Sequence, residues 1–258
     1  MMSRPLILVT NDDGYKARGI QELSKVASLH GDVIVVAPTT GQSGMSHAVT
    51  MNHPIRLRTI SENGSCSIYA CTGTPADCVK IALNQILDRH PDIIVSGINH
   101  GSNASVSLFY SGTVAATIEA CMNGIPSAAF SVDDHSPEAD FRLASQYAGP
   151  VIRNLIERGL PANSCLNINF PRISPEECRG MRVCRQARGV WKEEFEKRTD
   201  PRGQEYFWLT GEFHNHEHAA SDTDEWALAN NFVAMVPVSV DITDYTNIEL
   251  LRGWDLQV

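Results

Sequence analysis

Four short polar segments of this 258-residue chain each stand where an apolar run ends, and they hold the residues with chemistry to offer. In the first, Leu6–Thr10 runs directly into Asn11-Asp12-Asp13-Gly14. One carboxylate before a helix is an ordinary N-cap. Two adjacent ones exceed that need, because each raises the cost of ionising the other unless a cation neutralises the pair. The second segment, residues 38–47 (PTTGQSGMSH), is small and polar with Ser43 at its centre; it reads as a surface turn or as a source of hydroxyl and N–H groups for a site. The third, residues 96–103 (SGINHGSN), offers the oxygens and amides of Asn99 and Asn103 to a hard cation such as Mg²⁺ or Mn²⁺, or to a phosphate. Its Asn and Gly residues equally suit left-handed turns. In the fourth, Tyr110-Ser111-Gly112-Thr113, Ser111 is a helix N-cap, and the N–H groups of that helix start form an anion site without any lysine. His214, His216 and His218 lie in an acidic stretch without the i,i+4 spacing of a helical zinc site, and are read as a solvated loop.

The elements that must position these segments follow from periodicity. The run at Leu6–Thr10 is continuous and apolar, as a strand buried on both faces should be. Ile20, Leu23, Val26 and Ala27 then recur at helical spacing and Gly31 can close that helix, with the next strand at residues 33–37. Thr74-Pro75-Ala76-Asp77 carries an N-cap threonine, a proline at the first helical position and an acid three residues after the cap. Strands at 92–95, Ser127–Val132 and 166–170 alternate with helices at Gly112–Met122 and 137–157. This alternation predicts an α/β fold, a Rossmann-like doubly wound and mainly parallel sheet, with ligands beyond the carboxyl ends of its strands. The pattern changes near Pro171. Residues 1–175 read as the catalytic core, and residues 176–258 as a β-rich extension with strands at 182–188, 205–210 and 232–240 and few helical signals. The extension is expected to serve oligomer contacts or cover the site, its last strand rejoining the core.

Composition bounds the partners. A net charge of −9, from 21 basic and 30 acidic residues, disfavours nucleic-acid binding, which needs clustered Lys and Arg. A phosphate handled here needs a local cation instead. Seven cysteines without a CxxC pair argue against a disulfide framework or a thiolate zinc site. No apolar stretch approaches the roughly 18 residues of a membrane span, so a cytoplasmic protein with no membrane partner is expected.

Four segments together, ILVTNDDGYKARGI, PTTGQSGMSHAVT, GTPADCVKIAL and DIIVSGINHGSNASVSLFYSGTVAATIEACMNGIPSAAFS, resemble the SurE family, the survival-protein-E nucleotidases. RTDPRGQEYFWLTGEF and SDTDEWALANNFVAMVPVSVDITDY resemble it too, so the likeness runs over nearly the whole chain. The resemblance implies a metal-dependent phosphomonoesterase acting on nucleoside 5′- and 3′-monophosphates, with a C-terminal extension exchanged between subunits of a homodimer or homotetramer. It implies that Asp12, Asp13, Ser43 and Asn99 hold one divalent metal ion per subunit (Mg²⁺ or Mn²⁺), that Asp12 and Asp13 are catalytic, and that Asn103, Ser111, Gly112 and Thr113 contact phosphate. One departure stands out: many members have glycine two residues after the second asparagine, where this chain has Ser105.

Three other assignments meet obstacles in the residues. A Mg²⁺-binding phospho-receiver module, which signals without hydrolysis, needs an acceptor aspartate after the third strand, and Ser96-Gly97 stands there. A haloacid-dehalogenase-type phosphatase would separate its two aspartates by one residue. A nicotinamide-binding fold would have G-x-G-x-x-G where this chain has NDDG.

Overall fold

The computed structural model describes residues 4–63 and 66–255. Strand β1 (Leu6–Thr10) leads through helix α1 (Arg18–Ser28) to β2 (Asp32–Pro38), which pairs parallel to it. A hairpin of β3 (Leu57–Asn63) and β4 (Cys66–Cys71) adds the next strands, β4 lying parallel to β2. Helix α2 (Pro75–Ile81) opens on the expected capping box, the Thr74 hydroxyl accepting from the Asp77 N–H while the Asp77 carboxylate accepts from the Thr74 N–H. Strand β5 (Ile93–His100) then pairs on the other side of β1. A 3-10 segment at Ser105–Tyr110, helix α3 (Gly112–Met122), β6 (Ser127–Val132), α4 (Arg142–Arg158) and β7 (Ser164–Phe170) follow.

The remaining elements are β8 (Met181–Val183), β9 (Gly189–Lys192), β10 (Phe195–Thr199), β11 (Glu205–Leu209), β12 (Glu212–Asn215), α5 (Asp224–Ala229), β13 (Val233–Ser239) and α6 (Ile248–Arg252). The nine-stranded sheet runs β3-β4-β2-β1-β5-β6-β7-β13-β8, with β13 antiparallel to β7. The two-stranded pairs β10–β11 and β12–β9 lie apart from it.

Helices cover both faces, as the doubly wound reading requires. On one, Ile20 and Leu23 of α1 and Leu143 and Ile152 of α4 pack on Ile7, Val9 and Phe130; on the other, Val79 of α2 and Ala116 and Ala120 of α3 pack on Leu8 and Ile94. Truncating one of these buried side chains to alanine typically costs about 2–5 kcal/mol. Chain order reverses at β1, with β2 on one side and β5 on the other, so the crevice beyond the carboxyl ends of β1 and β5 is the switch point where such sheets bind ligands.

The structure differs from the sequence-based expectation in several places. Residues 96–100, expected as loop, continue β5, with a register irregularity between Ser96 and Asn99. The helix expected over 137–157 starts at Arg142 and carries Pro150 inside it. The strand expected over 182–188 shrinks to β8, and His214 lies in β12 rather than in a loop. The hairpin β3–β4 and the short helices α5 and α6 were not expected; β3 is largely exposed along its length and so shows no buried alternation. All seven cysteines are free thiols. Among the described residues no helix is long and apolar enough to cross a membrane.

Candidate active site

At the end of β1 the chain turns sharply. The Asn11 amide donates to the Gly14 carbonyl at 3.0 Å and accepts from the Gly14 N–H at 3.2 Å, closing the NDDG loop on itself. This brings Asp12, 3% exposed, against the start of α3. A side-chain carbon at Gly112 would stand 2.9 Å from Asp12 Cβ, so only glycine allows that approach. The Thr113 hydroxyl donates to Asp12 Oδ1, and the Thr113 N–H also bonds its carboxylate. Burial pushes Asp12 up to about 6, the Thr113 bond opposing and neighbouring Asp13 adding to the rise. Asp13 Oδ2 accepts from the His100 N–H at 3.3 Å, and burial raises its pKa as well.

The Ser43 loop is fastened at both ends. The Gln42 N–H donates to the Asp12 carbonyl at 2.7 Å. Beyond Ser43, the Ser46 hydroxyl donates to the Phe109 carbonyl at 2.6 Å, and His47 Nε2 lies 3.0 Å from buried Glu119, whose other oxygen takes Lys80 Nζ at 2.8 Å. Burial pushes Glu119 up, but the His47 and Lys80 bonds outweigh it and hold the carboxyl below its usual range. The Asp77 carboxylate that caps α2 also accepts from the Thr50 N–H, so one helix start anchors the returning chain.

Asn99 donates its amide to the Gly101 carbonyl at 2.8 Å, leaving its amide oxygen as the acceptor end. Asn103 sits on a buried polar ladder. Its N–H donates to Asn169 Oδ1 at 2.7 Å, its amide donates to Ser131 Oγ at 2.8 Å, and its carbonyl accepts from the Asn167 amide at 2.8 Å. Ser111 caps α3, its hydroxyl accepting from the Val114 N–H at 3.1 Å.

A cavity of about 480 Å³ at the switch point is lined by Asp12, Ser43, Asn99, Asn103 and Ser111. Five of the eight residues singled out from sequence therefore share one cavity. Asp13, Gly112 and Thr113 lie beside it; Thr113, fully buried, spends its hydroxyl on Asp12. His135, Trp191, Glu194, Leu209 and Thr210 also line the cavity; His135 stands three residues past the expected strand Ser127–Val132, so a strand-end signal could have found it, whereas none marks Trp191 or Glu194. Ser131, Asn167 and Asn169 were detectable as polar residues inside otherwise apolar strands. A larger cleft of about 550 Å³ meets this cavity at Ser111 but is lined mainly by apolar groups such as Leu108, Ile118 and Val238, with no carboxylate, and so offers no comparable chemistry.

Ser105, the departure from the family pattern, has φ +51°, the left-handed region where glycine is at ease. Serine is held there by its N–H donating to Asp224 Oδ2 at 2.8 Å and its hydroxyl donating to the Ala187 carbonyl at 2.9 Å. The loop shape is thus met without glycine.

The donor set suits a hard divalent cation: two carboxylates, a hydroxyl and an amide oxygen, all from oxygen-bearing groups. Two further observations fit. Ser96 Oγ, a buried side-chain polar atom without a partner among the described residues, lies within β5 and pairs in register with Thr10, the last residue of β1, just below these loops. Burial also makes both Asp12 and Asp13 reluctant to ionise, a cost that a cation reverses.

The family model described as "Survival protein SurE" matches residues 7–193. Among curated relatives, a "5'-nucleotidase SurE" of Flavobacterium psychrophilum is 48% identical over 256 residues, covering 99% of both chains. One from Christiangramia forsetii is 49% identical over 255 residues, covering 98% of both. The crystal structure of the SurE protein from Aquifex aeolicus matches with a TM-score of 0.83 at 34% identity, covering 96% of this chain and 98% of that one. With its fold, its strand-end loops and nearly its full length matched, this chain belongs to the SurE family.

Proposed function

We propose that the chain is a metal-dependent phosphomonoesterase that hydrolyses nucleoside 5′-monophosphates, and 3′-monophosphates as well, to nucleoside and phosphate. The observation that carries this reading is the convergence of Asp12, Ser43, Asn99, Asn103 and Ser111 on one cavity at the switch point. The relatives' name, 5'-nucleotidase, supports the same class.

Asp12, Asp13, Ser43 and Asn99 would hold one Mg²⁺ or Mn²⁺ per subunit. When bound, the cation supplies Lewis acidity and lowers the pKa of a nearby water. The chain's own groups do the rest. Asp12, its rotamer fixed by Thr113, orients the attacking water and takes its proton, while the bond from phosphorus to the nucleoside oxygen breaks and that oxygen is protonated from solvent. Asn103, Ser111 and the Gly112 N–H receive the non-bridging phosphoryl oxygens, where the helix start stabilises developing negative charge. Thr113 serves mainly through Asp12. The polar ladder from Asn103 to Asn169 keeps the phosphate end rigid.

The division into a catalytic core (1–175) and an extension (176–258) that builds a homodimer or homotetramer belongs to the same proposal. Exposed Phe195, Trp208, Leu250 and Trp254 support it, as apolar groups that a second chain would cover. Seven free thiols suit a cytoplasmic setting.

The test is a panel of 5′- and 3′-monophosphates assayed with EDTA-treated protein before and after Mn²⁺ or Mg²⁺ is restored. Phosphate release should vanish with EDTA and return with metal. Release that persists in EDTA would overturn the reading.

A further inference from the structure

We infer that Trp191 is the nucleobase platform of this site and sets a preference for purine over pyrimidine nucleotides; this rests on the phosphomonoesterase reading above. The cavity has two chemically different kinds of lining. Asp12, Asn103 and Ser111 contribute polar groups. Trp191 and Leu209 bring apolar surface to the same cavity, and both come from the extension, more than 75 residues beyond Ser111 in sequence. A volume of about 480 Å³ lies within the range of small-molecule sites, which run from roughly 300 to 1,000 Å³.

Trp191 is built as a fixed surface. It lies on β9, paired in register with Phe213 of β12, and its ring meets the Phe213 ring at 6.0 Å and 61°. That contact holds the indole in place while leaving it partly exposed and lining the cavity. The Thr210 N–H donates to the Glu194 carbonyl at 2.8 Å, closing the base of the β10–β11 hairpin beside it. A half-buried indole lining the same cavity as Asp12, Asn103 and Ser111 has an apolar face to offer, and the part of a nucleotide with a matching flat apolar face is its base. Two fused rings cover more of an indole than one does, so purines gain more than pyrimidines.

Stacking of this kind is formed equally in the bound ground state and the transition state, so its loss should raise KM with little change in kcat. The experiment compares kcat/KM for AMP, CMP and ribose 5-phosphate, the last carrying the phosphate and sugar without a base. In Trp191→Ala the ratio of AMP to ribose 5-phosphate should fall roughly 5- to 150-fold, the equivalent of about 1–3 kcal/mol, and mostly through KM. Trp191→Phe should keep that ratio within about threefold, since a single ring still stacks. AMP should also lose more than CMP. An unchanged ratio, or equal losses on all three substrates, would overturn the inference while leaving the phosphomonoesterase reading standing. A wild-type protein that releases phosphate from none of them would remove that reading, and this inference with it.

Discussion

At the strand ends of the α/β core, the buried asparagines are closed. Asn11, Asn103, Asn167 and Asn169 are all at or below 7% exposure, and each has a hydrogen-bond partner. In the extension the relation is inverted: Phe195, Phe207, Trp208 and Leu209 on the β10–β11 pair stand between 57% and 70% exposed. Unsatisfied buried polar groups are costly, so asparagines that are satisfied hold the strand-end loops rigid. Exposed aromatic strands are costly in the opposite way and call for a partner surface. The core's asparagines are thus satisfied within one chain, while the β10–β11 pair leaves apolar surface exposed on it.

The largest expected effect comes from breaking the extension's half of that contrast. Trp208→Asp should weaken association by about 2–4 kcal/mol, the range of an interface hot spot, and shift the mass measured by light scattering toward a single chain while the core's circular dichroism is kept. An unchanged oligomer would show that the hairpin's exposed aromatics do not serve assembly.

A smaller effect is expected at the seam between the regions. Asp224 of α5 accepts from the Ser105 N–H of the core and the Ala187 N–H of the extension, and neighbouring Glu225 is pushed up to about 7 by burial, with Asp224 and Asp133 adding to the rise. A carboxyl whose folded pKa lies above its unfolded value binds more protons when folded, so its contribution falls as pH rises from about 4.5 to about 7. Glu225→Gln removes that loss. Its unfolding free energy should exceed the wild type's by about 1–2 kcal/mol at pH 8, with the difference fading near pH 4, as measured by urea titration. A difference independent of pH would contradict the assignment.

The smallest effect is expected at Ser105. Glycine there would relieve a left-handed residue costing about 1 kcal/mol but forfeit the bond to Ala187 and add unfolded-state entropy, so Ser105→Gly should change stability by no more than about 1 kcal/mol. A loss above about 3 kcal/mol in the same titration would mean that the serine hydroxyl, rather than the backbone shape, holds the seam.

Much of the core was legible because its elements obey one period each. Leu6–Val9 is apolar throughout since both its faces are covered, and α3 runs over the span its capping serine and closing glycine mark. The extension was less legible for a physical reason: β10 and β11 are exposed on every residue, so no buried alternation marks them. The same distinction divides the site. Asp12, Ser43, Asn99 and Ser111 could be picked out because each follows an apolar run in a fold that binds ligands at strand ends. Trp191 carries no such mark; only the packing of a remote segment brings it to the cavity.

Asp12 and Asp13 as the anionic half of a cation site are checked by calorimetric titration of Mn²⁺ into chelator-treated protein. The wild type should take up one ion per chain, and the Asp12→Asn, Asp13→Asn double variant, with unchanged circular dichroism, should bind at least about 100-fold more weakly. A double variant that still binds one ion per chain with wild-type affinity would contradict the account.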